Sequence, residues 1–191
     1  MKTTRYNIPL IIFAGGKSSR MGQDKALLPF GEYNTLTQFQ YERLSKLFKK
    51  VYISAKENKF DFEANVIEDN YKESSPLVGI ISVFETLKAD KVFILSVDAP
   101  FVNREVIDKL INSNNRFDAV IAKSKSGMQP LCGVYKRSVL PIAQEHLKEG
   151  NHRLNNLLKK VDTQFVPFKD DDLFINLNHP HEYEKAQKSL T

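Results

Sequence analysis

The sequence contains a single cysteine, Cys132, in 191 residues. One thiol excludes an internal disulfide framework and any cysteine-based zinc cluster. No apolar run approaches the about 20 residues needed to cross a bilayer. The longest, Ile8 to Ala14, carries Pro9 and stops at Gly15-Gly16. The opening MKTTRYN has no apolar core of signal-peptide length and no small-residue cleavage site. Basic runs interleaved with aromatics are absent as well. The 28 Lys and Arg are diluted by 23 Asp and Glu, and the net charge is +5. This argues against a nucleic-acid track and suits an anionic small molecule. None of the four histidines has metal-ligand spacing with a second His or Cys, so no zinc site is expected. Repeats, linkers and low-complexity segments are also missing. The expectation is a cytoplasmic, reduced, single-domain protein over 1–191, with no nucleic-acid or membrane partner.

What remains is a strand–helix alternation. Ile8–Ala14, Lys50–Ser54, Asn65–Ile67, Val92–Val97, Phe117–Ala122, Leu131–Tyr135, Phe165–Pro167 and Phe174–Ile175 read as short strands. Leu36, Phe39, Leu44, Leu47 and Phe48 recur at helical spacing, which predicts a helix over Thr35–Phe48. Ile80, Val83, Phe84 and Leu87 mark a second helix. Asn103 is a candidate N-cap for a third, and further helices are expected over Ser138–Leu147, Arg153–Lys159 and Pro180–Lys188. On that reading His146 lies on a solvated helix face. The β-α-β-α order implies a three-layer α/β/α fold, Rossmann-like, around a mostly parallel sheet. Ligands of such sheets bind beyond the carboxyl ends of the strands, so the loops after Ala14, Ser54, Ile67 and Val97 are where chemistry is expected.

The first of these loops is Gly15-Gly16-Lys17-Ser18-Ser19-Arg20-Met21-Gly22-Gln23-Asp24-Lys25. Glycines admit close backbone approach, and Ser18, Ser19, Arg20 and Lys25 supply donors and positive charge. This describes a polyphosphate cradle. It matches neither G-x-x-x-x-G-K-[ST] nor G-x-G-x-x-G, so it is not a P-loop or a dinucleotide fingerprint. The second feature is Asp98-Ala99-Pro100, after the strand Val92–Val97. A carboxylate there suits Mg²⁺, a hard cation that prefers oxygen ligands and phosphate company. An Asp before a turn toward a helix also occurs for local hydrogen bonding, and the residues alone leave both readings open.

FAGGKSSRMGQDKALL together with the later SVDAP resembles the nucleotidyltransferases that carry L-x-G-G-x-x-x-R-M-G-x-D-K and D-x-P. Among these the chain is most similar to the molybdenum cofactor guanylyltransferase (MobA) family. Val66-Ile67-Glu68-Asp69, Pro76-Leu77-Val78-Gly79, Gln129-Pro130-Leu131 with Gly133-Val134-Tyr135, and Asn176-Leu177-Asn178-His179-Pro180 resemble further family segments in order. Together they span residues 8 to about 188.

The resemblance implies a nucleotide-diphospho-sugar-transferase type of fold. It puts a nucleotide part at about 8–100 and a second-substrate part at about 101–191. The family's nucleotide loop falls on Phe13, Ala14, Gly15 and Gly16, its phosphate-binding lysine on Lys25, and its guanine-reading acid on Asp69. Arg20 falls beside the triphosphate. The Mg²⁺ ligand falls on Asp98, and the second-substrate contacts fall on Asn176 and Asn178. Phe13 replaces a usual Leu, with little chemical consequence expected. Ser54 stands where the family has an Asn near base and ribose, which loses reach and one amide donor. Asp69 also suits a plain turn acid before Asn70. His152, beside Arg153, is a candidate for approaching the second substrate's phosphate. Cys132, in a strand pattern, reads as a small buried residue and not a nucleophile.

The implied reaction is Mg²⁺-dependent transfer of GMP from GTP to the terminal phosphate of molybdopterin, with release of pyrophosphate. Lys25, Asp98 and Arg20 would carry the catalysis. Other proteins of molybdenum cofactor synthesis are candidate partners. The rival within the same fold is a cytidylyl- or uridylyltransferase acting on molybdopterin or on a sugar or polyol phosphate. A nucleotide-sensing domain without turnover is the non-enzyme alternative.

Overall fold

The computed structural model of the chain describes residues 5–16, 22–113 and 116–189. Among the described residues seven strands form one sheet: β1 (Leu10–Phe13), β2 (Val51–Ala55), β3 (Val66–Glu68), β4 (Lys91–Ser96), β5 (Ala119–Ser124), β6 (Gly127–Lys136) and β7 (Thr163–Pro167). Their order across the sheet is β3-β2-β1-β4-β6-β5-β7. The β3–β2–β1–β4 half is parallel throughout, β6 runs antiparallel to both its neighbours, and β7 is parallel to β5.

Alternation along β1 sorts the layers. Leu10 and Ile12 join the core that holds Leu36 and Leu44 of α1 (Leu36–Ser45), Val106 and Ile107 of α3 (Arg104–Ile111), and Ala186 of α6 (Pro180–Lys188). Ile11 and Phe13 join the opposite core. That core is made with Leu77 and Ile80 of α2 (Pro76–Thr86), Ala143 of α4 (Leu140–Lys148) and Leu157 of α5 (Leu154–Lys160). A strand buried on both faces must be apolar at every position, which is what LIIF supplies. The expected three-layer α/β/α architecture is the observed one.

Helix starts follow their capping residues. Thr35 Oγ1 accepts the Gln38 N–H at 3.0 Å, Ser75 Oγ the Val78 N–H at 3.3 Å, and Asn103 Oδ1 the Val106 N–H at 3.1 Å. Pro180 occupies the first turn of α6, as expected. Among the described residues no helix is long and apolar enough to cross a membrane.

Three local expectations are corrected. β5 and β6 form a hairpin through Lys125 and Ser126, so β6 begins at Gly127 and not at Leu131. The register slips there: Ile121 faces Gly133, while Ala122 faces Gln129. Pro130, Leu131 and Cys132 are therefore extruded from the β5 ladder, an arrangement that tolerates a proline with no N–H. The Tyr135 hydroxyl donates to Pro130 O at 2.6 Å and closes the bulge. Phe174 belongs to a 3-10 turn, Asp172–Phe174, and not to a strand. Its ring packs on Phe168 at 5.3 Å between centroids, and β7 has already ended at Pro167. His146 is buried, because it lies three residues after buried Ala143 on the inner face of α4.

Candidate active site

Two cavities open beyond the carboxyl ends of the strands. The first, about 450 Å³, is lined by Phe13 at the end of β1 with Gly15 and Gly16 after it, Ser54 to Lys56 at the end of β2, Asp69 and Lys72 after β3, and Ser75 and Gly79 at the cap and first turn of α2. The second, about 420 Å³, is lined by Ser96 at the end of β4 and Asp98 after it, Gln129 to Cys132 of the bulge, His152 to Asn155, and Phe174 and Asn176. Pro76 and Leu131 line both, so the cavities are neighbours.

In the first cavity Gly16 holds φ at 134°, in a region where an L side chain is strained. Gly79 is required for a different reason. A Cβ there would lie 2.6 Å from Phe13 Cε1 and 3.0 Å from Ser54 Oγ. The extra bulk of Phe13 thus has a consequence that the sequence did not disclose: the ring fills the space in front of residue 79. Ala14 is in the core, with its N–H donated to Ser54 O at 2.9 Å. Asp69 follows β3, and its N–H donates to Ala55 O at 3.0 Å, so its side chain lines the cavity from a fixed backbone. Burial pushes the Asp69 carboxyl above the usual range, and the Lys56 ammonium partly opposes this. Lys56 and Lys72 make this cavity cationic. Neither was singled out in the sequence, although both follow strand ends where ligands were expected.

The junction with the second cavity is organised around Asp98, which is only 8% exposed. The Ser96 hydroxyl donates to Asp98 Oδ1 at 2.5 Å, and the Lys25 ammonium forms an ion pair with Oδ2. Lys25 also donates to Asn178 Oδ1 at 3.0 Å. The turn that delivers Lys25 is itself anchored. Asp24 Oδ1 accepts the Ala26 N–H at 3.1 Å, Lys59 pairs with Asp24, and the buried Thr37 hydroxyl donates to Ala26 O at 2.7 Å. From the far side the Leu177 N–H donates to Asp98 O at 2.9 Å.

The loop carrying Asp98 has a further support that sequence reasoning missed. Buried Gln40 donates to Val97 O at 3.1 Å, and Arg43 donates to Val102 O at 2.8 Å. Arg43 also grips Gln40 Oε1 at 2.6 Å, and burial pulls its pKa down to about 10. Both residues lie in α1, where their polar character signals only a solvated face, so no local pattern exposes the role.

The structure therefore brings Lys25, Asp98 and Asn178 together, with Asn176 lining the second cavity beside Asp98. Arg20, with Lys17 to Met21, lies outside the described residues. His152 reaches Ser75 Oγ with its Nδ1 at 3.0 Å, so the rim of the second cavity touches the cap of α2. Cys132 is buried as expected, and burial raises its thiol to about 12, which excludes a thiolate at neutral pH.

Among the described residues no three His, Cys, Asp or Glu side chains form a metal cage. One recessed carboxylate beside cationic surface nevertheless fits Mg²⁺, which keeps waters and binds through one or two carboxylates and substrate phosphates. The arrangement suits phosphoryl chemistry, in which charge neutralisation and alignment do most of the work.

The family described as MobA-like NTP transferase domain matches residues 10–165. A molybdenum cofactor guanylyltransferase from Campylobacter jejuni (strain 81116) is 40% identical over 183 residues, covering 94% of this chain and 95% of that protein. One from Helicobacter pylori (strain P12) is 39% identical over 192 residues, covering 96% and 94%. Among solved structures, the molybdopterin-guanine dinucleotide biosynthesis protein A from Archaeoglobus fulgidus superposes with a TM-score of 0.82 at 20% identity. It covers 95% of this chain and 98% of that one, and speaks for the fold.

Proposed function

The chain belongs to the MobA-like NTP transferase family, and from that membership we propose that it transfers GMP from GTP to the terminal phosphate of molybdopterin, releasing pyrophosphate. The observation that carries the proposal is the joining of Lys25 to Asp98 and Asn178 beside two adjacent cavities. One cavity is cationic and has an acid for the base; the other has Asn176 and Arg153 on its lining.

In this reading residues 8–100 hold the nucleotide and residues 101–191 hold the acceptor. Gly15, Gly16, Lys56 and Lys72 take the nucleotide side. The Asp69 carboxylate accepts the paired N–H donors of guanine, an edge that cytosine lacks. Ser54 offers a hydroxyl toward the sugar. The acceptor's phosphate oxygen attacks the α-phosphorus, the bond to the β-phosphate oxygen breaks, and the leaving pyrophosphate takes the electron pair. Lys25, with Arg20, neutralises the charge that develops on it. Asp98 would hold Mg²⁺, which would supply charge neutralisation at the nucleotide phosphates. The acceptor provides the nucleophile, so no protein nucleophile is required, in keeping with the inert Cys132.

Calorimetric titration with GTP, CTP and UTP in the presence of Mg²⁺ tests the base assignment. Preference for GTP is expected, and preference for CTP or UTP would replace it with the cytidylyl or uridylyl reading. Release of pyrophosphate only when molybdopterin is supplied tests the transfer itself, and its absence would favour a sensing domain.

A further inference from the structure

We propose that Glu182 is a positioning residue for the transfer, holding Asn178 and through it Lys25; the proposal rests on the guanylyltransferase reading above. One carboxylate oxygen, Glu182 Oε2, accepts two successive backbone N–H groups, from Asn178 and His179, each at 2.8 Å. Capping α6 requires only the second of these, since His179 is the N-cap residue. The first reaches one residue outside the helix, to the residue whose side chain accepts from Lys25 at 3.0 Å.

The neighbouring contacts give this extra bond its leverage. The Leu177 N–H is taken by Asp98 O at 2.9 Å. Three successive N–H groups, of residues 177, 178 and 179, are therefore fixed to Asp98 at one end and to Glu182 at the other, the middle one shared between Glu182 Oε2 and Asn176 O at 2.9 Å. With both ends fixed, the Asn178 side chain keeps its aim at the Lys25 ammonium. Burial alone would raise the Glu182 carboxyl, yet the two N–H groups, with the His179 and His181 imidazoles nearby, hold it below the usual carboxylate range. Lys25 belongs to the nucleotide side and Asn178 to the acceptor-side loop, so Glu182 sets how these halves of the site meet.

A helix cap alone would affect melting temperature and leave nucleotide affinity unchanged. The two roles are separated by measuring the Kd for GTP with Mg²⁺, the KM for GTP and the melting temperature in three variants. Glu182→Ala is expected to weaken GTP about tenfold. Glu182→Asp keeps an acid in the first turn but loses reach, so affinity falls similarly with little change in melting. Glu182→Gln retains an oxygen able to accept both N–H groups and is expected to stay within about threefold of the parent. Glu182→Ala combined with Asn178→Ala is expected to be no weaker than Asn178→Ala alone, because both act along one path. Wild-type GTP affinity in the Asp and Ala variants would overturn the proposal, as would full additivity in the double variant. If Glu182→Ala prevents folding, the Asp and Gln variants decide. Lys25→Met is the control: should it leave GTP affinity intact, the nucleotide-site reading itself fails and takes the proposal with it.

Discussion

Lys25 and Asp98 are 73 residues apart in sequence, yet the ammonium of one rests on the carboxylate of the other, within hydrogen-bond reach of Asn178. The pair links the turn after β1 to the end of β4, neighbouring parallel strands in the middle of the sheet. A cation therefore already stands on the carboxylate proposed to hold Mg²⁺. On the proposed reading Lys25 and a divalent ion would compete for Asp98.

Lys25→Met is accordingly expected to have opposite effects on two ligands. GTP affinity falls by about tenfold or more, through loss of a charge-assisted contact. Mn²⁺ binding without nucleotide rises, because the carboxylate loses its resident cation. Electron paramagnetic resonance titration of free Mn²⁺ reads the second effect directly. Equal Mn²⁺ affinity in parent and variant would refute the competition.

Gly79→Ala tests the packing behind the nucleotide cavity. The new methyl would fall 2.6 Å from Phe13 Cε1. Such overpacking costs about 1–3 kcal/mol, so the melting temperature falls and nucleotide affinity falls with it. Phe13→Leu, combined with Gly79→Ala, makes room at the same place and is expected to recover part of both losses. A double variant that melts lower than Gly79→Ala alone would contradict this account.

The parallel half of the fold was legible because each strand there is a short apolar run beside turn residues. LIIF and the VFILS stretch of β4, short apolar runs bounded by turn residues, read as buried strands and are observed as such. Lys25, Asp98 and Asn178 were reachable through motif resemblance, but their mutual contact was not, since it depends on a tertiary approach. The β5–β6 hairpin was missed because Gly127 to Pro130 carries no apolar alternation and ends in a proline. Gln40 and Arg43 were invisible for the reverse reason: a polar pair at i and i+3 on a helix reads as solvent-facing, and only the arrival of Val97 and Val102 carbonyls makes it a support.

Guanine binding is expected to depend on acid through Asp69. On the proposed reading the ionised carboxylate would accept the base's N–H donors, and burial raises its pKa above the ordinary 3.8. As pH falls through that raised value, the acceptor is protonated and GTP affinity drops, at a higher pH than an exposed carboxylate would give. Folding stability has the opposite sign. The neutral acid is favoured in the folded state, so ionisation costs stability as pH rises from 3.8 through the raised value. Asp69→Asn is expected to weaken GTP on the order of a hundredfold and to flatten the acid limb of the titration. Calorimetry across the acid range checks both, and an unchanged acid limb in the variant would assign the titration to another group.

Arg43→Met tests the support beneath Asp98. Removing the guanidinium strands Gln40 Oε1 and Val102 O, the two acceptors that it serves. Leaving buried acceptors unmet costs about 1–3 kcal/mol, partly offset because the buried cation was itself costly, as its lowered pKa records. A loss of several degrees in melting temperature is expected, at roughly 2–4 °C per kcal/mol for a chain of this size. The loop from Val97 to Val102 is expected to loosen with it, so the Mg²⁺ concentration needed for half-maximal turnover rises, while GTP preference over CTP, proposed to be set at Asp69, stays unchanged. A variant that melts lower but keeps the parent's Mg²⁺ requirement would show that Arg43 supports the fold without positioning Asp98.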